Sequence, residues 1–452
     1  MKTTLFALLF LMCTVSFAQK TDSLKLDFQG ELRARYEHSN GQFRAGKSGS
    51  DQLLLFRTLL HFRYGSKKVK VGLELQDSRT YLGDGNSPVS SSFTNVADIL
   101  QGYVEVKTKP LLRKEGEATL KLGRQTVSVG SKRQIERVSY ANVIKAYTGG
   151  HYLEQNHKKD ELHVFYVVPI DRLPKEKSQV LGNEFMWDRE MWNQHIWAVH
   201  YRNHRPFTDR GPKWAEAFVY GFDEQDTFRK SSSNRFYVTT GLRLQEPIKE
   251  NRFNYDVEFA YRCGSRQAEN DFIDGAPLAV SAHMLLFRAG YTFSLPLKVN
   301  VAFQHYVASG DKDPSGDEFQ QFERLFGGRR TDLNNTSIHG PLTPSNLSAT
   351  GLRVELLPEA RWDARVHYSY ANLASATDAF IIGKYQDTSG ASGRFLGHTL
   401  DSRVRFWNQK KTWTLDFGAS LFILGSYTRA VRVNENETRN IAHGYLQVIK
   451  KI

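Results

Sequence analysis

From Leu24 to Ser39 the chain reads LKLDFQGELRARYEHS, and the two parities differ sharply. Leu24, Leu26, Phe28, Gly30, Leu32, Ala34 and Tyr36 alternate with Lys25, Asp27, Gln29, Glu31, Arg33, Arg35 and Glu37. A period of two sends successive side chains to opposite faces of a strand, so this segment predicts a strand with one apolar and one charged face. FNYDVEFAYR from Phe253 and RWDARVHYSY from Arg361 repeat the pattern, as do KVKVGLELQ, LKVNVAFQ and KTWTLDFGASL.

Marking every such run predicts about eighteen strands, each near the roughly ten residues of a membrane-crossing barrel strand. They fall at 24–37, 52–64, 68–80, 97–108, 117–129, 142–153, 160–168, 194–203 and 214–222 in the first half of the chain. The second half adds 233–246, 252–263, 281–294, 297–309, 350–357, 360–372, 394–407, 412–424 and 441–450. Links after even-numbered strands are short, such as GSKK at 65 and NQKK at 408, whereas those after odd-numbered strands are mostly long.

That asymmetry, with no helical layer to cover an apolar sheet face, predicts an all-β fold: a transmembrane antiparallel β-barrel with periplasmic turns and extracellular loops. Closure leaves no free edge, which lipid cannot hydrogen-bond. The apolar faces then meet outer-membrane lipid and the charged faces meet the lumen. Aromatics at strand ends, among them Tyr36, Tyr64, Trp362 and Trp413, suit interfacial girdles, although aromatic residues are also ordinary strand formers.

The first residues, MKTTLFALLFLMCTVSFAQ, have Lys2 as their only charge and an apolar run too short to span. They predict a secretory leader over 1–18, with the barrel occupying 19–452. Cys13 leaves with the leader and Cys263 stands alone, so no disulfide framework is expected. The mean hydropathy of −0.49 argues against helical membrane spans. Net charge is +13, one less without Lys2, which suggests an anionic partner. No basic motif of the nucleic-acid kind appears, and export makes nucleic acid a poor candidate.

Two motifs carry a family resemblance: LKLGRQ at 120–125, and HYVASGDKDPSGDEFQQFERLFGG from His305. With the strand plan, they resemble the alginate export family of outer-membrane porins over essentially the whole mature chain. The resemblance implies a monomeric barrel of about eighteen strands whose narrowed, arginine-lined lumen passes an acidic polysaccharide. It assigns Arg124 to the pore wall, and Ser309, Gly310 and Asp311 to a long loop, 310–349, that folds near the pore. It also implies the barrel assembly machinery as a partner, although the chain ends in Ile452 where an aromatic residue is usual.

Alternation turns Arg33, Arg35, Arg57, Arg243, Arg262, Arg353, Arg361, Arg365, Arg403 and Arg405 inward, together with Arg63, Lys121 and Arg288. Asp27, Glu31, Glu74, Asp256, Glu258, Glu355, Asp363, Asp401 and Asp416 share that face. Guanidinium grips carboxylates through a planar fork and stays charged, which suits an anion path. About half of these arginines are expected simply to pair with carboxylates across the wall. Between Leu122 and Val127 the apolar parity slips, which predicts a bulge at Gly123 that turns Arg124 inward and leaves Val127 and Val129 facing lipid.

DKDPSGDE at 311–318 resembles the start of a calcium loop, but Phe322 occupies the twelfth position, where a carboxylate is required. A solvated acidic turn is the better reading, and no metal or cofactor is expected. No nucleophile elbow, zinc-protease or phosphate-loop motif is present. The expected function is an anion-selective porin of the cell outer membrane for alginate-like uronate chains, not an enzyme. The alternatives are a barrel hydrolase, a plugged structural or adhesive barrel, and a soluble glycan-binding sandwich.

Overall fold

The structure is a computed structural model and describes residues 23–112, 115–207, 212–228, 230–270, 276–333, 339–432 and 440–452. The leader expected at 1–18 lies outside the described residues. The first nine wall strands are β1 (Lys25–Ser39), β2 (Asp51–Gly65), β3 (Val69–Tyr81), β4 (Asn95–Thr108), β5 (Gly116–Gln125), β6 (Tyr147–Asn156), β7 (Glu161–Asp171), β8 (Gln194–His204) and β9 (Trp214–Glu224). The other nine are β10 (Phe236–Glu246), β11 (Phe253–Arg266), β12 (Leu278–Thr292), β13 (Val299–Ala308), β14 (Leu347–Leu356), β15 (Trp362–Asn372), β16 (Phe395–Trp407), β17 (Trp413–Leu424) and β18 (Ile441–Lys451).

Every strand pairs antiparallel with the next. β1 also pairs with β18, which closes the sheet into an eighteen-strand barrel. Gly30 and Ile452 complete the seam with reciprocal backbone hydrogen bonds of 3.0 and 2.9 Å. The links after odd-numbered strands are the long ones. Two short helices, α1 (Lys177–Leu181) and α2 (Ser426–Val431), lie within them.

Burial follows strand parity. Along β11, Asp256, Glu258, Ala260 and Arg262 are buried, whereas Phe253, Phe259 and Tyr261 are exposed. Leu122, Leu242, Phe303, Leu352 and Leu400 are likewise exposed on the outer face of their strands. Such a surface would be untenable in water but is the required one in hydrocarbon.

Two departures from the sequence reading shape the interior. β5 ends at Gln125 and β6 begins only at Tyr147, so residues 126–146 leave the wall and fold inside. Val127 and Val129, expected to face lipid, are 1% and 3% exposed within an internal apolar cluster. The parity slip therefore marks the end of a strand, and the β4–β5 register runs without a bulge at Gly123. Gly123 has φ +119°, and a Cβ there would lie 2.4 Å from the Gly102 carbonyl oxygen.

The second departure is that the lumen is only partly polar. Phe165, Val167, Ile196, Phe218, Met284 and Leu286 turn inward and pack with Val127, Val129, Ile135, Phe322, Leu333 and Leu342 from the long links. The lumen thus holds a true apolar core, to which Leu347, Ala371, Leu396, Phe422 and Ile441 also contribute at the long-link ends of β14–β18. Open space remains on the side of β14–β16 and β1–β2.

Candidate functional site

The inner architecture is set by two segments that descend into the barrel, the first over 126–146 and the second described over 309–333 and 339–346. The first is held by wall arginines. Arg33 donates to the carbonyls of Ser139, Tyr140 and Ala141 at 3.3, 3.0 and 2.9 Å and to Asn142 Oδ1 at 2.8 Å. Arg57 reaches the Ser139 and Ala141 carbonyls at 2.8 and 2.6 Å and ion-pairs with Glu31. Arg35 donates to the Tyr140 carbonyl at 2.7 Å. Arg33 and Arg57 stand directly opposite each other on β1 and β2, a like-charge pair that would normally weaken a sheet. Here the shared carbonyls offset the repulsion.

A charged knot ties both segments to the opposite wall. Arg133 pairs with Asp256, Glu258 and Asp332 at 2.7, 2.6 and 2.9 Å. Arg243 bridges Asp256 and Glu216, and Arg288 reaches Asp332 at 2.5 Å. Arg262 donates to Thr239 Oγ1 and the Glu323 carbonyl and lies 4.3 Å over the Phe322 ring. The segments also touch directly through an Ile135–Phe326 bridge and a 3.0 Å hydrogen bond from Gly328 N to the Lys132 carbonyl. A Cβ on Gly327 would sit 1.7 Å from the Arg133 carbonyl oxygen, and one on Gly328 would sit 1.6 Å from Glu136 Oε2. At Gly327 the obstacle is backbone, so only glycine permits that approach, whereas at Gly328 the Glu136 carboxylate would have to swing away.

The Ser309–Gly310–Asp311 motif forms the base of the second segment. Ser309 Oγ accepts from His283 N and donates to the Gln320 carbonyl, and Asp311 N donates to Asp378 Oδ2 at 2.8 Å. A Cβ on Gly310 would lie 1.9 Å from Asn346 Oδ1. The motif fixes where the segment leaves the wall and stays away from open space. Asp313 Oδ1 caps its own turn through Ser315 N and Oγ.

What remains open is a cavity of about 860 Å³. Its cationic lining comprises Arg44, Lys132, Lys145, Arg172, Arg324, Arg329, Arg330, Arg353, Arg365, Arg403 and Arg405, against Glu136 as the one carboxylate among the described lining residues. Arg44, Ser90 and Ser92 come from long links, whereas Arg403 and Arg405 lie near the short-turn end of β16, so the cavity runs along the barrel. Lys132, Lys145, Arg172, Arg324 and Arg329 form no ion pair with any described carboxylate. Arg365 and Arg403 are a second directly opposed like-charge pair, and they face this space.

A smaller cavity of about 380 Å³ is lined by Gln29, Glu31, His61, Glu74, Arg137 and Ile452. Glu136, Val138 and Ser139 face the large cavity while Arg137 faces the small one, so this stretch is the partition between them. Arg137 anchors it through Glu74 at 2.8 and 3.1 Å.

Several sequence-derived assignments are corrected. Arg33, Arg35, Arg57, Arg243 and Arg262 turn inward but bind the internal segments or wall carboxylates and do not line the large cavity. Arg124 keeps the parity of Leu120 and Leu122, opposite Gly102, and is held by Glu190 at 2.9 Å and the Ile99 carbonyl at 3.0 Å. Without a bulge it has no route inward. Arg361 is exposed in the turn before β15. Arg353, Arg365, Arg403 and Arg405 do line the cavity, with Arg353 held by Glu355 and Arg405 by Asp363. The cations that form no ion pair belong to the links and carry no alternation. For Arg324 and Arg329 the signal was the RLFGGRR run at 324–330, where paired glycines flanked by arginines mark a close backbone crossing, whereas Lys132, Lys145 and Arg172 carry no such signal.

A family model described as Alginate export matches residues 24–442. The chain belongs to the alginate export family. No curated protein matches it in sequence. Among solved structures, this alginate export family member is similar to OccAB1 of Acinetobacter baumannii at TM-score 0.58 and 11% identity, over 94% of this chain and 96% of that one. It is also similar to the outer membrane protein opdK of Pseudomonas aeruginosa, at 0.57 and 10% over 94% and 99%. A BenF-like porin of Pseudomonas fluorescens Pf-5 gives 0.58 and 10% over 95% and 98%. The alginate export barrel is thus an outer-membrane protein whose family and fold resemble outer-membrane transport channels.

Proposed function

We propose that the protein is a monomeric, passive outer-membrane channel for anionic oligo- or polysaccharide of the uronate type, with the basic cavity as its path. The observation that carries this reading is the excess of cations over carboxylates along one continuous cavity. In a narrow, low-dielectric bore such a lining focuses the field and concentrates anions. Arginine forks grip successive carboxylates in two-bond contacts. Many weak sites in series let a chain enter and leave, where a single strong site would trap it. The opposed Arg365 and Arg403 gain most from a passing anion, because it relieves their repulsion. With no energy source of its own, such a channel carries solute down its gradient in either direction. A leader over residues 1–18 would route the chain to the barrel assembly machinery.

Reconstitution in planar bilayers tests this. The expected result is anion preference that weakens as salt screens the lumen, with short uronate oligomers interrupting the current. An Arg324→Ala/Arg329→Ala double variant should lose most of that preference while keeping its heat-modifiable fold. Cation preference would overturn the reading, and absence of conductance would favour a structural barrel closed by the 136–141 partition.

A further inference from the structure

Where β18 meets β1, the inner wall brings Glu37 and His443 together with His339 of the second internal segment, all three buried. Both imidazoles address one oxygen: His339 Nε2 lies 3.6 Å and His443 Nε2 3.7 Å from Glu37 Oε2. The other oxygen, Oε1, faces Arg35 Nε at 2.7 Å. The two rings stack with centroids 4.3 Å apart and planes inclined at 26°.

These separations are too long for hydrogen bonds. Glu37 Oε2 and His443 Nδ1 and Nε2 have no hydrogen-bond partner although they are fully enclosed, a condition that native interiors avoid. The same separations suit the edges of a coordination tetrahedron. Donors about 2.0–2.1 Å from Zn²⁺ stand about 3.4 Å apart.

We propose that Glu37, His339 and His443 form a Zn²⁺-class metal site that staples the second internal segment to the β1–β18 seam. Two imidazoles with one carboxylate select a borderline divalent ion over calcium or magnesium, and they leave a fourth position for water. Arg35 binds the oxygen that the imidazoles do not face, so it orients the carboxylate without occupying the site. The site stands apart from the conduction path and does not depend on the channel reading.

The test is Zn²⁺ binding by the intact barrel in detergent after chelator treatment, followed by equilibrium dialysis, calorimetry and thermal melting. About one Zn²⁺ per chain is expected, with a rise in melting temperature. Affinity should fall at least about tenfold in His339→Ala and Glu37→Gln, and His339→Cys should restore it, because thiolate is also a zinc ligand. His339 lies in a link and not in the wall, so closure can be checked separately by heat-modifiable gel migration. His398→Ala, on the outer face, should bind as the parent does. Failure of the parent chain to bind Zn²⁺, or undiminished binding in both His339→Ala and Glu37→Gln, overturns the proposal.

Discussion

Asp378 shows how much of a residue's behaviour depends on neighbours distant in sequence. Its carboxylate accepts from Asp311 N at 2.8 Å and Gln321 Nε2 at 2.7 Å, and burial pushes its pKa up to about 6. The folded state therefore holds this proton more tightly than the unfolded chain, whose ordinary value is about 3.9. Stability at this knot is greatest at low pH, falls between about pH 4 and 6, and stays reduced above. At roughly 1.4 kcal/mol per unit the loss approaches about 3 kcal/mol. Hydrogen-exchange protection factors at the base of the second segment, with the intrinsic base-catalysed rate divided out, should be higher at about pH 5 than at about pH 8, and Asp378→Asn should flatten that difference. An unchanged pH dependence in the variant would refute the assignment. Sequence parity showed that Arg33, Arg57, Arg365 and Arg403 turn inward. It could not show that the first pair grips the 139–141 carbonyls while the second lines the large cavity, where Arg365 reaches the Thr331 carbonyl and Arg403 lies 3.8 Å from Asp363, because most of these partners come from links without a period.

At the scale of elements, alternation located all eighteen strands, and most boundaries agree within a few residues. The exception is instructive: 117–129 and 142–153 were extended into a segment whose apolar residues serve an internal core. Alternating Val127 and Val129 look the same whether they meet lipid or packed side chains, so hydrophobicity alone could not separate the cases. Holding 126–146 in place falls largely to charge-assisted hydrogen bonds, each worth roughly 1.5–3 kcal/mol. Removing two of its four arginine holds in Arg33→Ala/Arg57→Ala, leaving Arg35 and Arg137, should loosen the partition while the wall stays closed. Larger, noisier single-channel currents and faster proteolytic cleavage near Ser139 are expected. Conductance indistinguishable from the parent would show that the 136–141 stretch does not restrict the path.

For the whole molecule, the short-and-long rhythm of the links and the strand parity made the closed barrel legible before any coordinates. The asymmetry of its interior was not, because it arises where links from β5 and β13 meet across the bore. The outer surface gives a direct check: spin labels at Leu242 and Phe259, which are 65% and 48% exposed, should be quenched by lipid-soluble reagents. A label at Ala260, which is fully enclosed, should be reached by neither lipid-soluble nor water-soluble quenchers. The joined segments also bear on mechanics. A hollow ring of eighteen staves is easily flattened by lateral pressure from the surrounding bilayer. The glycine-paired crossing at Gly327 and Gly328, bolted to one side by Arg133 and to the other by Arg33 and Arg57, acts as a girder across the diameter. Its ties join the two walls that lateral pressure would push together or pull apart.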